Sequence, residues 1–442
     1  MTVLQELVER GHRSLHTAGP VTRALAALHV LDTLGCVVAG ASHPLAAQLT
    51  RLVTEFGDVG EMRTPALAGV HTLRSVVLAE SVLAHVDEFD ALHPPAAMVP
   101  SAAVVPAALA VADREGLPGS TVLDAVITGY EVAVEAGLRF GGPKLYGNAW
   151  WPTAVFGALG SAAATANLLR LDDEQTLAAL GLAAAGLGGL LSVDQLGMGH
   201  YLLAGRAAAD GVEAAYLARA GGRASATLLD EPAAAALGRS AAPPSPEGNP
   251  HVDDCVFKAY PCARPLHAAL EALDALAGRG VPLQTAQHVE ILLPAPLLRF
   301  VTVDRTPSGP TEAAASAAFV VAAWLHEAAC DVGFFRGRLP LDTPDVTLGH
   351  APELDARLPE QWGARVIVDL GDGNQAVQEE VAAGGDTRRS TRTKAVTDKF
   401  RRQTGADPDS PDWERWITQC LSLHDVTDIG GLRHSLCRLV DR

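Results

Sequence analysis

Between Pro20 and about Gly238 apolar residues recur at helical spacing, in Ala- and Leu-rich runs broken by Gly, Pro or Asp, with few β-branched alternations. The opening MTVLQELVERGHRSLHTAG reads as an amphipathic helix; it lacks a basic segment leading into an apolar run, so no signal peptide is expected. Ala154–Leu169 and Leu177–Leu191 predict central helices buried on most faces, because Ala and Gly let helix axes approach closely. Asp172, Asp173 and Glu174 supply an acidic cap between them. The longest uncharged stretch, Leu177–Val193, is rich in Ala and Gly and falls short of the roughly 20 strongly apolar residues a bilayer needs, so a buried helix is expected and no membrane span.

The pattern changes after SAAPPSPEGNP (Ser240–Pro250), a loop by composition. His288–Leu293 alternates as a strand, and Arg365–Leu370, Gly371-Asp372-Gly373-Asn374 and Gln375–Val381 predict a β-hairpin. Helical runs His267–Ala277 and Thr311–Ala328 lie between these strands, and helical spacing returns from Lys394 onward. The expected fold class is therefore mainly α with an inserted α+β domain. Residues 1–258 begin the helical domain, 259–388 form the α+β lid and 389–442 return to the helices.

Composition narrows the function. The 442 residues are 48% hydrophobic and 19% charged, enough to bury a large core, and 51 acids against 34 bases leave a formal charge of −17. Such a surface repels phosphate backbones and anionic lipid, so neither nucleic acid nor a membrane is an expected partner. Six scattered cysteines without a CxxC pair indicate reduced thiols in a cytoplasm, with no zinc ribbon. Lysine occurs only at Lys144, Lys258, Lys394 and Lys399, so a lysine here has reason to be chemical.

Four segments could carry chemistry. HVDEFDALH (His85–His93), forced out of helix by Pro94 and Pro95, reads either as a loop presenting carboxylates and imidazoles, with Asp90 and His93 facing one pocket, or as a solvated acidic turn. No HExxH-like signature supports a metal there. Trp150 and Trp151 precede Pro152, the expected first residue of a helix, and either wall a ligand or fill core. His200 is placed just before a helix carrying Arg206 and Asp210, and a lone histidine in an apolar run is commonly structural. In FKAYPCARPLH, Lys258 is either a surface lysine or an amine desolvated by Phe257 and Tyr260 for proton transfer.

The runs HVLDTLGCVVAGASHP, HVDEFDALHPPAAMVPSAAVVPAALAVADREG, ITGYEVAVEAGLRFG, WPTAVFGALGSAAATANLLRLDDEQTLAALGLAAAG, LLAGRAAADGVEAAYLARAGG and VFKAYPCARPLHAALEAL resemble, in order, the blocks of the MmgE/PrpD family. The resemblance covers nearly the whole chain. It implies a helical domain with a smaller α+β lid, a homodimer, an active site in the cleft between the domains and proton chemistry without metal or organic cofactor. It also implies catalytic roles for Asp90, His93 and Lys258, with Cys262 and His267 in family positions. Val99, Leu92, Trp151, His200 and Phe300 stand where the family carries histidine, threonine, histidine, lysine and tyrosine.

The pocket so implied, with Tyr260 also at its wall, has lost polar groups and gained apolar ones. The expected function is a cofactor-independent lyase or isomerase that abstracts a proton beside a carbonyl or carboxyl group of a small molecule more apolar and larger than methylcitrate. His200 or Asp90 would be the base, His93 the relay and Lys258 the counter-charge. Cyclisation of a natural-product intermediate and a catalytically inactive scaffold are the alternatives.

Overall fold

The computed structural model describes residues 1–441 apart from 192–196, 231–232, 339, 341–342, 372 and 384–391. The helical domain is built from α1 (Val3–Thr17), α2 (Pro20–Gly40), α3 (Pro44–Glu55), α4 (Leu73–His85), α5 (Pro100–Arg114), α6 (Gly119–Arg139), α7 (Pro152–Leu168), α8 (Asp173–Ala185) and α9 (Met198–Arg219). Proline at the first position starts α2, α3, α5 and α7, where its missing N–H costs nothing. The acidic cap is a capping box: Asp172 accepts from the Gln175 N–H and the Gln175 side chain returns to the Asp172 N–H.

Small residues set the crossings. A Cβ placed on Gly160 of α7 would lie 2.7 Å from the Gly129 carbonyl of α6, and one on Gly211 of α9 would lie 2.3 Å from the Ala158 carbonyl of α7. The three helices thus touch backbone to backbone, and α7 is buried on nearly every face. Helix α2 is long and apolar enough to cross a membrane, yet 83% of its most apolar window is buried in this bundle, which makes it a core helix.

The α+β module starts after the 255–263 segment. Here α10 (His267–Gly278), α11 (Pro310–Ala315) and α12 (Ala317–Leu325) pack with a four-stranded sheet around a separate core. The sheet comprises β3 (His288–Leu293), β4 (Asp345–His350), β5 (Ala364–Asp369) and β6 (Gln375–Glu380) in the order β4-β3-β5-β6, with β3 and β4 parallel and the other pairs antiparallel. Alternation works as the sequence implies: Val289, Ile291 and Leu293 of β3 and Ala364, Val366 and Val368 of β5 face inward. The chain then returns as α13 (Arg392–Thr404), α14 (Pro411–Leu421) and α15 (Ile429–Val440), whose Phe400, Trp416 and Leu436 join the core of α2, α5 and α6.

Some expectations change. A short hairpin, β1 (Met62–Thr64) and β2 (Leu67–His71), interrupts the region read as wholly helical; its strands are too short to show a period. The apolar run from Leu177 stops being helical at Ala185, where Gly186, Gly188 and Gly189 follow, and Val193 lies outside the described residues. Strand β4 escapes the pattern because it is an edge strand with Val346 its one buried residue. The run from Thr311 breaks at Ser316, which caps α12 through the Phe319 N–H. Asp372, in the predicted hairpin turn, lies outside the described residues.

The C-terminal helices are fastened by ionic contacts. Arg433 of α15 is buried and donates to both carboxylate oxygens of the buried Glu80 on α4, at 2.7 and 3.1 Å, and to Asp113 of α5 at 3.1 Å. Removing one member of such a pair strands a buried charge, at a cost of about 3–5 kcal/mol, whereas replacing both by apolar groups costs much less. Arg433→Met should therefore lower the apparent denaturant midpoint sharply, and adding Glu80→Met should recover a large part of the loss. An unchanged midpoint in the single variant would refute the assignment.

Candidate active site

Helix ends from one domain meet the lid across a cavity. His85 closes α4, Val99 is the N-cap of α5, Trp151 is the N-cap of α7 and His200 lies in the first turn of α9, not before it. These residues line the cavity with Glu88, Leu92, Tyr146, Thr153, Lys258, Arg264 and, from the lid, Phe300 and Trp362. Its volume is about 90 Å³, space for several waters or a compact acid. This is tighter than the large substrate expected from the apolar replacements.

The 85–99 loop is pinned at several points along its length. Glu88 adopts a left-handed backbone (φ 52°), which turns its carbonyl and the next one inward. The Lys258 ammonium donates to the Glu88 carbonyl at 2.7 Å and to Glu88 Oε2 at 3.0 Å. Lys399 of α13, paired with Asp32 at 2.8 Å, donates to the Phe89 carbonyl and lies over the Phe89 ring. Asp87 takes both carboxylate bonds from Arg336 of the lid, at 2.7 and 2.9 Å. Leu92 and Val256 exchange backbone bonds at 2.8 and 3.0 Å.

Within this frame His85 Nδ1 donates to Asp90 Oδ1 at 2.9 Å and its Nε2 meets His200 Nε2 at 3.1 Å. Burial works against a charged His85, but the Asp90 and Glu88 carboxylates outweigh it and raise its pKa above the ordinary imidazole value. His200 is driven the other way, to about 3, first by burial and then by the His85 charge. The two rings are therefore driven in opposite directions, with the charged form favoured on His85. His200 also packs against Trp151, with ring centroids 3.9 Å apart and the planes tilted by 34°. Burial pushes the Glu88 carboxyl up, yet Lys258, His85 and His200 bring it down to about 2.

The expected site residues separate into two groups. His200, Lys258, Leu92, Val99, Trp151 and Phe300 come together at the cavity, whereas Asp90, His93, Tyr260, Cys262 and His267 do not line it. Asp90 is fully buried behind His85, so it orients that ring and has no direct face on a substrate. His93 turns away: its Nδ1 accepts from the Ala96 N–H at 3.2 Å, its ring packs on His251, and burial together with the His251 charge holds it near 3. Tyr260 bonds Asp274 of the lid, Cys262 is a buried thiol pushed up to about 12, and His267 is buried against Arg264 and the Cys262 carbonyl. Lys258 is engaged by Glu88, not by a purely aromatic surround.

His85, Glu88, Tyr146, Thr153 and Arg264 were not singled out from the sequence. The first two sit inside the polar HVDEFDALH run, but the reversal of chain direction at Glu88 decides which of its side chains face the cavity. Arg264 lies in the same block as Lys258, on a single turn of 3₁₀ helix.

Two imidazoles in hydrogen-bond contact, beside a buried cation and inside a largely apolar cleft, are equipment for general acid–base catalysis. Residues 14–239, just over half of the chain, match the MmgE/PrpD N-terminal domain, and the chain belongs to the MmgE/PrpD family. It is 24% identical to a cis-aconitate decarboxylase of Aspergillus terreus, over 91% of this chain and 89% of the relative. Identity is 24% to the cis-aconitate decarboxylase-like protein oryM of Aspergillus oryzae, covering 91% and 90% of the two chains, and 26% to the cis-aconitate decarboxylase of Mus musculus, covering 80% and 76%.

Two buried carboxyls make the fold acid-sensitive. Glu88 is held near 2, as is Glu135, which burial raises but His251, the Ser245 N–H and Arg10 lower. An unfolded chain takes up these protons at about pH 4.3, so stability from both groups is present above that pH and is lost as pH falls toward 2. Wild-type unfolding midpoints should drop steeply across this window, and Glu135→Gln, already destabilised at neutral pH, should show a shallower slope. Equal slopes would refute the account.

Proposed function

We propose that this protein is a cofactor-independent lyase that moves a proton at carbon beside the carboxylate of a compact, partly apolar acid. The observation that carries the proposal is the His85–His200 couple, held by Asp90 and opening on a cavity that Lys258 and Arg264 also line. The N-termini of α5 and α7 meet the same cavity without a side-chain cap, so their first-turn dipoles favour an anion there. The named activity of the relatives, decarboxylation of cis-aconitate, fits such a site in kind.

In this scheme the substrate carboxylate lies toward Lys258 and Arg264, and its carbon skeleton lies against Leu92, Val99, Trp151 and Phe300. Loss of carbon dioxide, or of a proton, leaves an electron pair on carbon. The couple supplies or accepts the proton through His200, while His85 replenishes it and Asp90 holds the ring. The ammonium and guanidinium stabilise charge as it develops, in a cleft lined mainly by apolar side chains. The apolar wall leaves fewer donors for second and third carboxylates, so a monocarboxylate with a short apolar chain suits the cavity better than a tricarboxylate.

The test is incubation in heavy water with cis-aconitate and a series of short unsaturated monocarboxylates, with carbon dioxide release and carbon-bound deuterium followed by NMR. At least one acid should turn over or exchange, and His200→Gln and Lys258→Met should each reduce the rate by about 10²–10⁴-fold. Activity should hold through neutral pH and fall as pH rises past the elevated titration of His85. Exchange that survives both substitutions unchanged would overturn the proposal.

A further inference from the structure

The acid–base cluster also has the donor set of a metal site. We propose that His85 Nε2, His200 Nε2 and Glu88 Oε1 bind one divalent transition-metal ion of the zinc class, and that the ion and the transferable proton exclude each other. The second clause rests on the proposed function; the first does not.

The three atoms lie 3.1, 3.5 and 3.8 Å from one another. Zinc bonds of about 2.0–2.1 Å in a tetrahedron place neighbouring ligand atoms roughly 3.3–3.4 Å apart, so the triangle already brackets the required spacing. His85 has the outer partner expected of a metal-bound imidazole, because Asp90 holds its Nδ1 proton, and displacing the proton between the two rings frees the Nε2 lone pair for the ion. Lys258 sits on Oε2 of Glu88, the other oxygen, so the nearest cation does not occupy the metal-facing atom. All three donors line the cavity, which leaves the remaining coordination position to water or a substrate carboxylate.

Charge is also accommodated. The ion replaces the one proton that the imidazoles share, so the local charge rises by a single unit between the carboxylates of Asp90 and Glu88. A bound hydroxide or carboxylate cancels that unit. The contrast with a second cluster is instructive. His93, His251 and Asp254 also gather their donor atoms, but His93 Nδ1 already accepts the Ala96 N–H, which keeps the ring proton on Nε2 and denies it to a metal.

Because the same lone pairs serve both events, metal binding should switch the proton couple off. Chelator-stripped full-length protein is titrated with Co²⁺, with absorbance read in the visible region, and then with Zn²⁺ as competitor. A 1:1 tetrahedral Co²⁺ spectrum, displaced by Zn²⁺ and lost in both His200→Gln and Glu88→Gln, is the expected result. One equivalent of Zn²⁺ should also reduce heavy-water exchange or turnover at least 10-fold. No visible bands in the wild type at tenfold excess Co²⁺ overturns the metal site, whatever the variants do, and leaves the lyase reading intact if metal-free turnover is seen. Bands together with undiminished turnover overturn the mutual exclusion alone. Bands without turnover under any condition support the site and count against the lyase reading.

Discussion

Two consecutive carbonyls, those of Glu88 and Phe89, point into the protein interior, and a buried carbonyl without a partner is expensive. Each is met by a buried ammonium, Lys258 for one and Lys399 for the other. The left-handed turn at Glu88 that exposes both carbonyls also swings its carboxylate between Lys258 and the two imidazoles. Backbone strain, ion pairing and the placing of the proton couple are thus one arrangement. Asp32, which holds Lys399, and Asp90, which holds His85, extend it outward into α2 and the rest of the loop.

The lid is attached to the same few residues. Arg336 reaches across to Asp87 and to the Ala39 carbonyl, while Arg299 donates to the Tyr146 carbonyl and Phe300 packs edge-on against the Tyr146 ring. Trp362 and Leu297 of the lid close over Ala97. Phe300 and Trp362 of the cavity wall consequently come from the lid, whereas the acid–base cluster, Leu92, Val99 and Trp151 belong to the helical domain. A change in how the lid sits alters the shape offered to a substrate and leaves the proton couple where α4 and α9 place it.

The sequence made the larger features legible because they depend on local rules. Proline at helix starts, the Asp172–Gln175 capping box and the alternation in HVEILL and RVIVDL each act within a few residues. The scarcity of lysine also drew attention to Lys258, which the fold buries, although its partner Glu88 is 170 positions away along the chain. The inside of HVDEFDALH was not legible, since one residue of positive φ decides which carboxylate meets the cavity and which stands behind a histidine. His85 acquires its role from His200, 115 positions distant, and no linear spacing encodes that pairing. Strand β4 and the β1–β2 hairpin were missed for a simpler reason: each is short and half exposed, so no period accumulates.

The positions of the two strapping lysines have a consequence for how the chain matures. The stretch that matches the MmgE/PrpD N-terminal domain, residues 14–239, contains the loop with its strained turn but neither amine that satisfies it. Lys258 emerges from the ribosome shortly afterwards, whereas Lys399 follows only after the whole lid has been made. The loop is therefore complete only when residues from both sides of the α+β module are in place. A fragment ending at residue 239 would hold the strained turn with both of its inward carbonyls unmet.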